Sequence, residues 1–207
     1  MLRSITGSTC KKKLLPLVSS ADSTEISAVL NNRKKIYIDG TEQPIRRPVD
    51  PIDQRENYSG KKKKHTSKIL LVTNENKGID VITPVYVGST HDFSMFKEEA
   101  LIDVLPSGTP IYLDTGFEGI QKLREDLNIR KPKKKPRNRK LNGGERLGNR
   151  LISRERVKVE HSIGGIKMFK IVSSTFRGIS QSMNRTFEII CGIWNLKISR
   201  KLAAQSV

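Results

Sequence analysis

"KIYIDGTEQPI" (residues 35–45) decides how the rest of the chain is read. Ile36, Tyr37 and Ile38 are β-branched or aromatic, and they deliver a carboxylate, Asp39, with Gly40 directly behind it. Such residues favour extended backbone, so a strand over 34–39 is expected. Asp-Gly after a strand is a common hairpin signal. It is also a way to present a carboxylate at the rim of a sheet, where sites form. The same device recurs in "YLDTG" (112–116), where an expected strand over 109–114 ends in Asp114. The expectation is that Asp39 ends its strand, turns the chain and offers an oxygen to chemistry.

Around these two stretches the pattern alternates between strand and helix. "SKILLVTNE" (67–75) and "GIDVITPVYVG" (78–88) read as strands joined by a hairpin loop, with Pro84 placing a bulge or an edge in the second. "THDFSMFKEEALIDVL" (90–105) reads as one helix capped by Thr90, and 116–127 as a short one. Residues 47–65 are turn-rich and charged, a loop, and 129–145 form a Pro/Gly-rich basic loop. Long helices are expected over 146–170 and 182–203, the second carrying Met183, Phe187, Ile190, Trp194, Ile198 and Leu202 on one stripe. Residues 1–32 show little periodicity and are expected to be poorly ordered. The whole predicts an α/β domain over 33–203, a mixed sheet flanked by helices.

Charge narrows the function. Across 207 residues, 39 Lys and Arg face 21 Asp and Glu, a net charge of +18. Residues 121–170 alone carry 17 basic and 5 acidic side chains, a net of +12, so the excess is not a tail. A polyanion partner, most simply nucleic acid, is implied. The longest apolar run, "IICGIWNL" (189–196), is far short of a membrane span, and no signal-peptide pattern opens the chain. Cys10 and Cys191 lack metal-type spacing and are read as reduced thiols. A cytoplasmic protein with no membrane partner is expected.

The third carboxylate is found in "ISRERVKVEHSIGGIK" (152–167). Ser153, Arg156, Glu160 and Lys167 fall on one helical stripe at about 100° per residue. A solvated charged face is the bland alternative, worth a few tenths of a kcal/mol per pair, on the order of 0.2–0.5. Two strand-borne aspartates and a helix glutamate also make an all-oxygen set suited to Mg²⁺ or Mn²⁺. Two such ions serve both the attacking and the leaving oxygen of a phosphodiester.

With these residues in place, the chain resembles the catalytic domain of bacterial insertion-sequence transposases with an Asp-Asp-Glu triad, the DDE superfamily endonucleases. The matching pieces, in family order, are "IDGTEQPIRRP" (38–48), "QRENYSGKKKKHT" (54–66), "PVYVGSTHDFSMF" (84–96), "IYLDTGFEG" (111–119), "KPKKKPRNRKL" (131–141), "NRLISRERVKVEHSIGGIKMFKI" (149–171) and "IICGIWNLK" (189–197). The resemblance implies an RNase H-like fold and catalytic, metal-holding roles for Asp39, Asp114 and Glu160, with two Mg²⁺ or Mn²⁺ ions. It implies DNA cleavage at element ends and transfer of the freed 3′-hydroxyl into target DNA. Arg156 and Lys167 match the Arg and Lys of the signature around the glutamate, whereas Ser153 stands where the family has Tyr.

Other DNA contacts are expected from Lys61, Lys62, Lys63 and Lys64, and from Lys133, Lys134, Lys135, Arg137 and Arg139 in the basic loop. His91 and Asp92 match a family pair beside the site, and also suit a helix start. Family members carry a helical DNA-binding region before the first aspartate, and 1–32 do not read as one. The expectation is a truncated or split transposase that works with a separate N-terminal DNA-binding segment and as a homo-oligomer. A catalytically silent DNA-binding remnant is the rival reading. A ribosomal-type RNA-binding protein is a second, but it leaves the three carboxylates without a role.

Overall fold

A computed structural model describes residues 15–19, 22–178 and 180–205. Cys10 and the Lys11–Lys13 triplet lie outside them. The elements run β1 (Leu17–Val18), α1 (Ser23–Asn31), β2 (Ile36–Pro44), α2 (Pro51–Glu56), β3 (Tyr58–Ser59), β4 (Lys64–Asn74), β5 (Ile79–Ile82) and β6 (Tyr86–Val87). They continue with α3 (Asp92–Glu98), α4 (Leu101–Val104), β7 (Ile111–Tyr112), α5 (Ile120–Leu123), β8 (Ile129–Arg130), α6 (Gly143–Lys167), α7 (Lys170–Ser173) and α8 (Ser180–Ala204).

The strands form one mixed sheet in the order β1-β5-β4-β2-β7-β8, with β3 and β6 also paired to β4. β2 runs antiparallel to β4 and parallel to β7. Alternation along β2 assigns its two faces. Ile36 and Ile38 point into a core shared with Ile26 and Leu30 of α1, Met95 and Phe96 of α3, and Phe117. The opposite face packs on α6, α7 and α8 through Ile69, Leu71, Ile166, Phe187 and Trp194. The α/β architecture is thus the expected RNase H-like sheet flanked by helices.

The strand that opened the reading does not stop at Asp39. β2 continues to Pro44 and pairs with β4 at every position from Ile36–Asn74 to Pro44–Thr66. Nine ladder positions outweigh a local Asp-Gly turn preference. Gly40 has a different job: a Cβ there would lie 2.9 Å from an Asp92 carboxylate oxygen, so the missing side chain makes room for that group.

Residues expected to be poorly ordered contribute structure as well. β1 pairs with β5, and α1 buries Ile26 and Leu30 completely. A helix of nine residues is marginal alone, so tertiary burial rather than periodicity makes it. The expected helix over 90–105 is broken at Ala100, whose φ is 49°. Glu99 there accepts hydrogen bonds from Ser19 and Tyr86, and the break turns Leu101, Val104 and Leu105 into the core. The helix expected over 116–127 shrinks to the single turn α5, because Arg124 extends and donates to the carbonyls of Ile102 and Leu105. Within the expected loop 47–65, Asp50 caps the short α2. Pro84 does split its strand, into β5 and β6.

α6 begins earlier than expected because Asn142 and Glu145 form a capping box. It contains Gly164-Gly165, which costs about 1 kcal/mol per glycine relative to alanine. Only Gly165 has a packing reason: a Cβ there would meet the Trp194 ring at 2.2 Å, whereas Gly164 faces open space. Gly165→Ala is therefore expected to destabilise by about 1–3 kcal/mol through overpacking. Gly164→Ala is expected to stabilise by about 1 kcal/mol. Urea unfolding of both variants checks the pair, and equal shifts of the same sign would refute the assignment.

Candidate active site

The site rests on a register. Tyr37 of β2 is paired with Tyr112 of β7. Asp39 lies two residues further along β2, whereas Asp114 lies two residues past the end of β7, which stops at Tyr112 and not at Asp114 as expected. Tyr37 and Tyr112 stack at 5.0 Å on the same face. Both aspartates therefore look toward α6, the helix that carries Arg156.

Arg156 closes the pair. Its Nη1 donates to Asp114 Oδ1 at 3.1 Å and its Nη2 to Asp39 Oδ2 at 3.4 Å. The Asp39 side chain is 20% exposed and that of Asp114 39%. Burial pushes the Asp39 carboxyl up from the usual aspartate range; Arg156 opposes this, and the charges of Asp114 and Asp92 add to it. The Arg156 Nε is buried without a hydrogen-bond partner.

Glu160 lies one turn beyond Arg156 on α6, exposed to solvent, and bonds to neither aspartate. Among the described residues, no three His, Cys, Asp or Glu side chains cluster around one point. The test of fit to a divalent ion therefore rests on Asp39 and Asp114. Their oxygens already converge on one cation, the guanidinium, and an all-oxygen set of this kind suits a hard divalent ion. The donor chemistry fits.

Asp92 opens α3 but does not cap it, and the preceding His91 makes no side-chain cap bond. The Asp92 carboxylate instead pairs with Lys68 at 3.3 Å, and Lys68 also donates to the Thr90 carbonyl at 2.8 Å. This ties α3 to the sheet behind Asp39. Reading the sequence missed Lys68. Its only signal was a lysine inside the apolar run "SKILLVT".

The lysines fall into two groups. Lys61, Lys62 and Lys63 are exposed on the tight turn from β3 to β4, where Lys63 has φ of 54°, and the exposed Lys64 opens β4. Lys167 lies near the end of this turn, and its ammonium is pushed below the usual lysine range by burial and by the charge of Lys62. In the basic loop, Lys133 and Arg139 are held by Glu145 and Lys134 by Glu118, each at 2.7 Å. Lys135 and Arg137 are exposed, with no hydrogen bond or ion pair to a described side chain. Trp194 is in the core, as expected, and donates to the Lys77 carbonyl.

The chain is similar to known proteins over most of its length. Residues 38–195 match the family described as DDE superfamily endonuclease. The chain is 29% identical over 177 residues to a protein of Microchaete diplosiphon described as a probable transposase for insertion sequence element IS702. That alignment covers 86% of this chain and 62% of the relative. No solved structure matches. No helix among the described residues is long and apolar enough to cross a membrane.

Proposed function

This chain belongs to the DDE superfamily endonuclease family, and on that premise we propose that it is the catalytic part of a DNA transposase, with residues 33–203 as the catalytic domain and α1 adding to its core. The reaction is hydrolysis of a phosphodiester at an element end, followed by strand transfer. Water oxygen attacks phosphorus, the bond to the 3′-oxygen breaks, and the 3′-hydroxyl departs. That hydroxyl then attacks phosphorus of a target phosphodiester, the bond from phosphorus to the target's 3′-oxygen breaks, and a target 3′-hydroxyl departs with the transferred proton. The observation that carries this reading is the pair Asp39 and Asp114, one on β2 and one just past the end of the adjacent parallel β7, sharing one cation.

Asp39, Asp114 and Glu160 are the residues that would hold Mg²⁺ or Mn²⁺, in two positions. When bound, such ions supply Lewis-acid stabilisation of the attacking and leaving oxygens. Arg156 balances the charge of the aspartate pair and, with Lys167, offers donors to phosphate. The Lys61–Lys64 turn, Lys135 and Arg137 give DNA affinity that falls with salt. Lys133, Lys134 and Arg139 join them when DNA phosphate replaces their glutamate partners. Element ends and target DNA are the substrates; a second copy and a separate N-terminal DNA-binding segment are the proposed partners, in a nucleoid-associated complex.

A catalytically silent DNA-binding remnant is the second reading, favoured by the exposure of Glu160. Nicking of supercoiled plasmid with Mg²⁺ or Mn²⁺ separates the two. Metal-dependent nicking is expected in the wild type and a loss of about a thousandfold in Glu160→Gln, with DNA binding within about twofold. DNA binding without nicking in the wild type, both alone and with a supplied N-terminal DNA-binding segment, would establish the silent reading.

A further inference from the structure

Beside the aspartate pair, on the N-terminal side of Arg156, a cavity of about 660 Å³ opens between β7, β8 and α6. Pro110, Tyr112, Arg130, Leu151, Arg154 and Glu155 line it. Its size falls within the range of small-molecule sites, about 300–1,000 Å³. Its chemistry has three parts, each from a different element.

The first is an aromatic ring. Tyr112 is only partly buried, and its support is rigid because it stacks on the fully buried Tyr37 at an interplanar angle of 17°. The second is unpaired charge. Arg130 and Arg154 are exposed at the wall, and neither side chain has a hydrogen bond or ion pair to a described residue. The third is a fixed acceptor. Glu155 Oε2 receives the Tyr37 hydroxyl at 2.7 Å, Lys158 at 2.9 Å and Lys35 at 3.1 Å. The bond from Lys158, with those from Tyr37 and Lys35 behind it, holds the Glu155 carboxyl at about 2, so it stays ionised. Its Oε1 makes no bond to a described residue and remains an acceptor.

We propose that this cavity binds one unpaired nucleotide of the DNA strand that lies over Asp39 and Asp114. The base stacks on Tyr112, its phosphate meets Arg130 and Arg154, and Glu155 Oε1 accepts from the base edge. A base inside a duplex has its faces covered by its neighbours, so an aromatic platform of this kind selects a nucleotide out of the stack. The acceptor suits the exocyclic amino groups of adenine, cytosine and guanine, whereas thymine offers only its ring N3–H. The location follows from adjacency, since Tyr112 lies two residues before Asp114 and Glu155 directly precedes Arg156, which bonds Asp114. The inference rests on the proposed function for its strand, but its test does not use cleavage.

The test is fluorescence anisotropy in EDTA with two labelled duplexes of equal length. One is fully paired, and the other has three mismatched pairs at its end. The wild type is expected to bind the frayed end about tenfold tighter, the scale of one base–aromatic stack. Arg154→Ala and Tyr112→Ala should remove that preference and leave affinity for the paired duplex within about twofold. Tyr112→Phe should keep it, and this variant distinguishes loss of stacking from loss of folding. Equal binding of both duplexes by the wild type would overturn the proposal. So would an equal weakening of both by Arg154→Ala, which would make the cavity ordinary basic surface. If plasmid nicking fails with and without a supplied N-terminal DNA-binding segment while the preference stands, the catalytic reading falls and the pocket remains. If nicking succeeds and the preference is absent, only the pocket falls.

Discussion

Asp39→Asn is expected to lose metal-dependent strand cleavage by about a thousandfold or more, roughly 4 kcal/mol of transition-state stabilisation, while melting no lower than the wild type. The two halves have one cause. Asp39 is placed beside Asp114 by the pairing of Tyr37 with Tyr112, and the same placement buries it. Burial raises its carboxyl above the ordinary aspartate range despite Arg156. A carboxyl raised in the folded state binds its proton more readily there than in the unfolded chain. Its stabilising contribution is complete below the unfolded value, about 3.9, and is lost as pH rises through the folded value. At neutral pH the ionised Asp39 is thus a net cost to folding, and asparagine removes that cost in nearly the same shape. Arg156 keeps Asp114 as a partner. The melting advantage of Asp39→Asn should be present at pH 7 and shrink toward zero on acidification below the ordinary aspartate value. Thermal melts at both pH values alongside plasmid nicking check this. A variant that melts several degrees lower at pH 7 would make Asp39 a structural partner of Arg156.

The aspartates were legible because the same pattern occurs twice, "YIDG" and "YLDTG", although β7 ends at Tyr112 and presents Asp114 just past the strand rather than at its last position. What the local sequence did not contain was the continuation of β2 through Gly40. That depends on nine partners in β4 and on an Asp92 carboxylate more than fifty residues away. Arg156 was recognisable as a neighbour of Glu160 on a helical stripe. Its reach to both aspartates is a tertiary fact, created by packing α6 across β2 and β7. Lys68 and Glu155 were missed for the same reason: each is one charge within an otherwise ordinary element, and its partners come from other elements. The cut in the strand at Pro84 needed no such information, since a missing N–H acts locally.

Leu30→Ala is expected to cost about 2–5 kcal/mol of stability and to lower the melting temperature by roughly 5–15 °C. Read alone, residues 23–31 have little to recommend them as a helix, and their isolated stability is marginal. Asp22 supplies a cap, its side chain accepting from the Thr24 amide at 2.9 Å, but a cap contributes only about 1 kcal/mol. The remainder comes from burial. Ile26 and Leu30, one turn apart, are 1% and 0% exposed, in the same core as Val104 and Leu105 and as Ile36 and Ile38 of the strand that carries Asp39. Leu30→Ala opens a void in the core that this strand shares, so its effect should extend to nicking as well as to melting. Ala28→Ser, on the exposed face of the same helix, serves as the control and should shift stability by less than about 0.5 kcal/mol. Urea unfolding curves of the two variants decide the matter. If Leu30→Ala unfolds at the same midpoint as Ala28→Ser, α1 is an appendage rather than part of the catalytic core, and the boundary expected near residue 33 divides two separable pieces.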